Sequence, residues 1–196
     1  GQTWNHYDTD FKVTNISSIV QTADGSFYVG TGEQFQGGFS SKRSGFIGSG
    51  LFKLTGNGNF ELIVGPSNRL SESIDWATIA KVSAHPTDPN ILYVAMNNGV
   101  RKIDLSTSPA TITNPIANIT KSANDVEISS DGKIVLTYQG GEMYTSHNGV
   151  DYYKNTWANV ARGDVAISPS NSDIMYVVFS RRTSVASTNN CLAGVF

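Results

Sequence analysis

Four stretches of the 196-residue chain follow one pattern: "IVQTADGSFYVGTG", "VSAHPTDPNILYVAMN", "VEISSDGKIVLTY" and "VAISPSNSDIMYVVFS". Each begins with a short alternating strand, turns on Asp, Asn, Gly or Pro, and continues into a more apolar strand. Two-residue alternation around such a turn is a hairpin signal. Tyr28, Tyr93, Val135 and Tyr176 align, at spacings of 65, 42 and 41 residues. A repeated unit of this length cannot bury its apolar faces alone, so the repeats must stack.

The long first spacing contains "TGEQFQGGFSSKRSGFIGSG", a Gly/Ser-rich insertion over Thr31–Gly50. A third strand follows in three repeats, as "GLFKLT", "GVRKID" and "GEMYTS", and then a fourth, as "NFELIVG", "ATITNP" and "DYYKNTW". No window carries helical periodicity, and every short apolar run is bounded by turn residues. The predicted class is therefore all-β: a β-propeller of four-stranded antiparallel blades, one blade per roughly 40–50 residues. The repeat boundaries fall at about 1–66, 67–115, 116–157 and 158–196.

The stretch "TSHNGVDYY" lies between the third and fourth strands of the third repeat. It resembles the Asp box, the S-x-D-x-G-x-x-W turn of bacterial neuraminidase repeats. In strict register Thr145 stands for the Ser, His147 for the Asp, Gly149 for the Gly and Tyr152 for the Trp. Ser146 and Asn148, displaced by one residue, can supply the same polar groups. "GQTW" at Gly1–Trp4 is similar to the second half of such a box, and "GVF" at Gly194–Phe196 to the start of a third strand. The resemblance implies a sortilin-like or sialidase-like propeller, of which this chain is a fragment. It extends to secreted or cell-surface bacterial proteins of the type IX secretion kind, an extracytoplasmic location, although no signal peptide is visible in the sequence.

Composition narrows the function classes. The net charge is −2, with 14 Lys and Arg against 16 Asp and Glu, so no basic surface suits nucleic acid. No window approaches the roughly 18 apolar residues of a membrane span, so no direct membrane insertion is expected. Cys191 stands alone, which excludes an internal disulfide. His6, His85 and His147 sit in separate turns without metal-ligand spacing. No cofactor and no metal are expected.

In an antiparallel blade the one–two and three–four turns share one face, and the two–three and four–one loops share the other. The Asp-box-like turn belongs to the first face, and the long insertion to the second. The insertion carries Glu33, Phe35, Phe39, Lys42, Arg43 and Phe46, a set of aromatics and charges suited to a protein or glycan ligand. Asp125 and Asp164 stand at equivalent positions immediately before the innermost strand, in "NDVEIS" and "GDVAIS". Lys81 and Ser18 fill that position in the other repeats. Two carboxylates at a channel mouth can serve as acid and base of a glycoside hydrolase; the bland alternative is a residue bonding its own turn. A sialidase would also need an arginine triad and an RIP-like motif, and neither is present. The expected function is a non-catalytic recognition or structural module. The alternative is a xyloglucanase-like or sialidase-like hydrolase with part of its active site elsewhere.

Overall fold

In a computed structural model of the chain, the described residues are 3, 15–33, 47–56, 58–67, 76–138, 140–181 and 192–196. They form four antiparallel sheets in chain order, and every sheet neighbour is also a sequence neighbour. The first contains β1 (Ile16–Gln21), β2 (Phe27–Thr31), β3 (Leu51–Leu54) and β4 (Phe60–Val64). The second contains β5 (Ile79–Ala84), β6 (Ile91–Met96), β7 (Gly99–Asp104) and β8 (Thr111–Thr113). The third contains β9 (Ala123–Ile128), β10 (Ile134–Tyr138), β11 (Glu142–Ser146) and β12 (Tyr153–Thr156). The fourth has β13 (Val160–Ile167), β14 (Met175–Arg181) and β15 (Leu192–Val195). Among the described residues no helix is long and apolar enough to cross a membrane.

The first strands pack in series, β1 on β5, β5 on β9 and β9 on β13. No comparable packing joins β13 to β1 among the described elements. The blades thus form an arc around an inner row of strands. Three apolar layers sit between consecutive blades. Tyr28 packs with Ile79, Val82 and Val94 in the first. Tyr93 and Ala95 pack with Val126 and Leu136 in the second. Val135 and Met143 pack with Val165, Val177 and Phe179 in the third. The aligned residues of the first three repeats, Tyr28, Tyr93 and Val135, therefore do one job: each closes the layer against the blade that follows.

Alternation explains why. In each hairpin the aligned residue faces the residue after the repeat's opening aliphatic, as in Val20↔Tyr28 and Ser83↔Tyr93. The opening aliphatic itself lies on the other side of the sheet, as in Val82↔Val94 and Val126↔Leu136. One side of each blade thus meets the blade before it, and the other meets the blade after it.

All four inner strands carry a bulge, which the sequence pattern did not reveal. The extra residue is Ser17 in β1, Ala80 in β5 and Asn124 in β9, with a matching irregularity between Val160 and Gly163 in β13. A bulge bends its strand and re-aims the next side chain. Asp125 and Asp164 consequently lie inside β9 and β13, not ahead of them: pairing resumes beyond the bulge and lengthens each strand backwards. The strand approaches also share a left-handed residue, Asn15 (φ 57°), Trp76 (φ 68°), Asn118 (φ 62°) and Asn159 (φ 62°). Asn tolerates that conformation better than most residues.

The β10–β11 turn shows how tightly the blades are joined. Gly140 (φ +90°) has open space where a Cβ would point. A Cβ on Gly141 (φ +78°) would lie 2.2 Å from Val160 Cγ2 and 2.4 Å from the Trp157 carbonyl oxygen. Gly140→Ala is expected to cost about 1 kcal/mol of left-handed strain, and Gly141→Ala about 3 kcal/mol or more because backbone must also move. Urea denaturation of the two variants checks the difference.

Candidate functional site

The equivalent inner-strand position, Ser18, Lys81, Asp125 and Asp164, is where chemistry gathers. Its first role is a link between blades. The backbone N–H of Val82 donates to Ser18 Oγ at 2.9 Å, and that of Val165 donates to Asp125 Oδ2 at 2.9 Å. In both cases the residue accepts from the opening aliphatic of the next blade. Lys81 has no acceptor to offer. At its interface Asp125 Oδ1 takes the Val126 N–H itself, at 2.9 Å, and Lys81 reaches across to the carboxylates instead.

Lys81 Nζ lies 2.7 Å from Glu127 Oε1 and 3.7 Å from Asp125 Oδ1. Burial disfavours the Lys81 cation, but the Glu127 hydrogen bond, with Asp125 and Asp164, holds its pKa above the ordinary value. Asp125 is 4% exposed, and Asp164, within hydrogen-bonding reach of it, is exposed. Burial, reinforced by the hydrogen bond with Asp164, pushes the Asp125 carboxyl up to about 7, against the Val165 N–H and Lys81. Asp125 therefore holds its proton at a pH where an ordinary aspartate has lost it.

A raised carboxyl pKa is a property of glycosidase acids. The geometry does not match that role. Glycosidase carboxyl pairs stand about 5–5.5 Å apart to attack the sugar directly, or about 6.5–9.5 Å apart to admit water. Asp125 is instead buried, and both of its oxygens already accept backbone N–H groups. What this arrangement can do is join blades three and four.

The predicted ligand loop is only partly described. Glu33 follows β2 and is exposed; Phe35, Phe39, Lys42, Arg43 and Phe46 lie outside the described residues. A feature the sequence reading missed is a groove of about 370 Å³ lined by Trp157, Asn159, Val160, Leu192 and Phe196. It opens beside the four–one connection of blades three and four. Trp157, Phe179 and Phe196 form an aromatic cluster beneath it, with ring centroids 5.1 Å (Trp157–Phe179) and 5.7 Å (Trp157–Phe196) apart. No group of described His, Cys, Asp and Glu residues could hold a metal ion.

In the turn after β11 the displaced polar pair makes the bonds. Ser146 Oγ accepts the Gly149 N–H at 2.9 Å, and Asn148 Oδ1 accepts those of Val150 and Asp151, both at 2.9 Å. Thr145 stays in the ladder opposite Val135 and Tyr153, and His147 is exposed. Gly149 has φ +69°, and Tyr152 packs on the layer between blades two and three.

No family model and no curated protein matches the sequence. Solved structures do. The Cps50 (Swd1) β-propeller domain of Myceliophteria thermophila superposes with a TM-score of 0.54 at 12% identity, over 93% of this chain and 58% of that one. The fold is a β-propeller. The extracellular domain of BT4673 from B. thetaiotaomicron matches with a TM-score of 0.59 at 12% identity, over 92% of this chain and 21% of that one. An auxiliary nutrient binding protein from Bacteroides thetaiotaomicron matches at 0.56 and 7% identity, over 93% of this chain and 41% of that one. This propeller chain thus spans less than two thirds of each. At such identities the likeness fixes architecture, and function must be argued from the site.

Proposed function

We propose that this chain is a non-catalytic recognition module of the Asp-box propeller type, extracytoplasmic, that binds a protein or glycan through its two–three and four–one loops. The observation that carries this reading is the use of both Asp125 oxygens on backbone N–H groups, which leaves the carboxylate pair joining blades instead of facing a substrate. The Ser146–Asn148–Gly149 turn supports the Asp-box assignment, since it satisfies the same backbone donors from polar side chains one residue out of strict register. Structural likeness to an extracellular domain and a nutrient-binding protein supports a binding role. Each repeat, bounded near residues 66, 115 and 157, supplies one blade, and function concentrates on one loop face.

The proposed ligand set is Glu33, Phe35, Phe39, Lys42, Arg43 and Phe46, all from the two–three connection of the first repeat. Aromatic faces suit sugar rings or peptide side chains, and Arg supplies directional hydrogen bonds. A glycan array and a displayed peptide library test the reading. The expected result is a ligand whose affinity falls at least tenfold in Phe39→Ala or Arg43→Ala and is unchanged in Asp164→Asn. Binding lost in Asp164→Asn but retained in both loop variants would contradict it.

A further inference from the structure

The joint between blades two and three carries a charge cluster on the loop face. It lies between two complete four-stranded sheets, away from both ends of the arc. Glu142 opens β11, and its Oε1 lies 2.5 Å from Lys121 Nζ and 2.9 Å from Lys154 Nζ. Lys121 belongs to the connection from β8 to β9, and Lys154 stands opposite Tyr144 in the ladder of β11 and β12. Tyr144 is buried in the layer between the two blades, and Lys154 Nζ is 5.6 Å from its ring centroid. Ser122 Oγ donates to Asn97 Oδ1 at 2.7 Å, which ties the connection carrying Lys121 to the β6–β7 turn. Arg101 is held against the same connection: a Cβ on Gly99 would lie 3.3 Å from Arg101 Nη1 and 3.1 Å from the Ile119 carbonyl oxygen. Arg101 Nη1 donates to the Asn98 and Val100 carbonyls, which are neutral and leave its charge in place.

One carboxylate does not balance these cations. Burial works against the Glu142 carboxylate, but Lys121 and Lys154 hold its pKa below the ordinary value. The lysine side chains are 54% and 43% exposed and that of Glu142 13%, so an incoming group meets the ammonium ions first. The opposite face has the other sign: Asp24, Asp88, Asp104, Asp131, Asp151 and Asp173 all stand in or at one–two and three–four turns. A surface polarised in this way steers an anion to the loop face. We propose that Lys121 and Lys154 bind the anionic group of an acidic glycan, a carboxylate or a sulfate, at the joint of blades two and three. The site rests on the reading that the loop face recognises a ligand, and it is separate from the insertion. Ammonium groups make charge-assisted hydrogen bonds to such oxygens. Thr156, opposite Glu142 in the ladder, and Thr113, on the last strand of blade two, add exposed hydroxyls that can bond sugar hydroxyls.

Binding of the 196-residue chain to immobilised polygalacturonate, dextran sulfate, neutral dextran and polyglutamate tests this. The wild type is expected to bind polygalacturonate or dextran sulfate, the tighter of the two naming the anionic group, and to weaken as salt rises from about 50 to about 500 mM. Lys121→Gln and Lys154→Gln are each expected to lower the affinity about fivefold. Lys53→Gln, which removes the cation over Tyr28 in blade one, should leave it unchanged. Glu142→Gln should raise the affinity about threefold, because it removes the carboxylate that competes for both ammonium groups. A salt bridge with a structural role alone would give no such gain. No binding to either acidic polysaccharide, equal binding to neutral dextran, binding to polyglutamate alone, or affinity unchanged in both lysine variants would overturn the site. If Phe39→Ala or Arg43→Ala weakens binding and the lysine variants do not, this site fails while the recognition reading stands. A glycan array and peptide library that yield no ligand would end both.

Discussion

Phe179→Ala is expected to lower stability by about 3–5 kcal/mol, near the top of the range for a truncated core aromatic. Phe179 is fully buried in the layer between blades three and four, against Val135, Met143, Val160 and Val165. Its ring fills the space that Gly163 leaves free: a Cβ on Gly163 would stand 2.3 Å from Phe179 Cε1. Gly163→Ala is therefore expected to cost about 2 kcal/mol through overpacking. Because the obstacle is a side chain, Phe179→Leu in the same protein should recover part of that cost. The coupling in a double-mutant cycle, read by urea denaturation, should exceed about 0.5 kcal/mol. Additive losses would mean that the two residues do not share this space.

The second large effect concerns Asp125. Removing its carboxylate orphans the buried N–H groups of Val126 and Val165, and each unsatisfied buried group costs about 1–3 kcal/mol. Asp125→Ala should lose roughly 2–4 kcal/mol at pH 5, and Asp125→Asn, which keeps one acceptor, about 1. The pH dependence has a definite sign. The folded carboxyl has a pKa of about 7 against an ordinary 3.8, so between those values the folded protein binds more protons than the unfolded chain. Stability contributed by the protonated form is whole below about pH 4 and falls as pH rises towards 7. Asp131, held down to about 2 by Ser129 and Ser172, and Asp24, lowered by Thr22 and Ser26, act oppositely but only at acid pH. Between pH 5 and 7.5 the wild type should lose on the order of 2 kcal/mol, and Asp125→Asn should remove most of that slope. Thermal denaturation of both proteins across this range checks it.

The repeat made the fold legible because its signal is periodic and apolar. Tyr28, Tyr93 and Val135 had to be buried, and one alternating strand can bury them only against a neighbouring blade. The site was harder to read. An inner-strand bulge changes neither composition nor alternation enough to be seen, so Asp125 looked like a residue leading into a strand. Its role as acceptor for the next blade depends on a residue 40 positions away, Val165, which no local pattern reports. The turn at Ser146–Gly149 was legible in chemistry but ambiguous in register, because Thr145 and Ser146 are both hydroxyls and only the backbone decides which one turns inward. The Trp157–Phe196 groove combines residues from two blades, and no single local motif contains them.

An assay of hydrolysis tests the central claim, that the carboxylate pair joins blades and does no chemistry. The purified chain and its Asp125→Asn variant would be incubated from pH 4 to 8 with a panel of aryl glycosides and polysaccharides, with melting temperature followed in parallel. The account predicts no turnover by either protein at any pH, with the variant differing only in the pH dependence of its stability. Glycosidase turnover by the wild type, lost in Asp125→Asn while the variant remains folded, would contradict it.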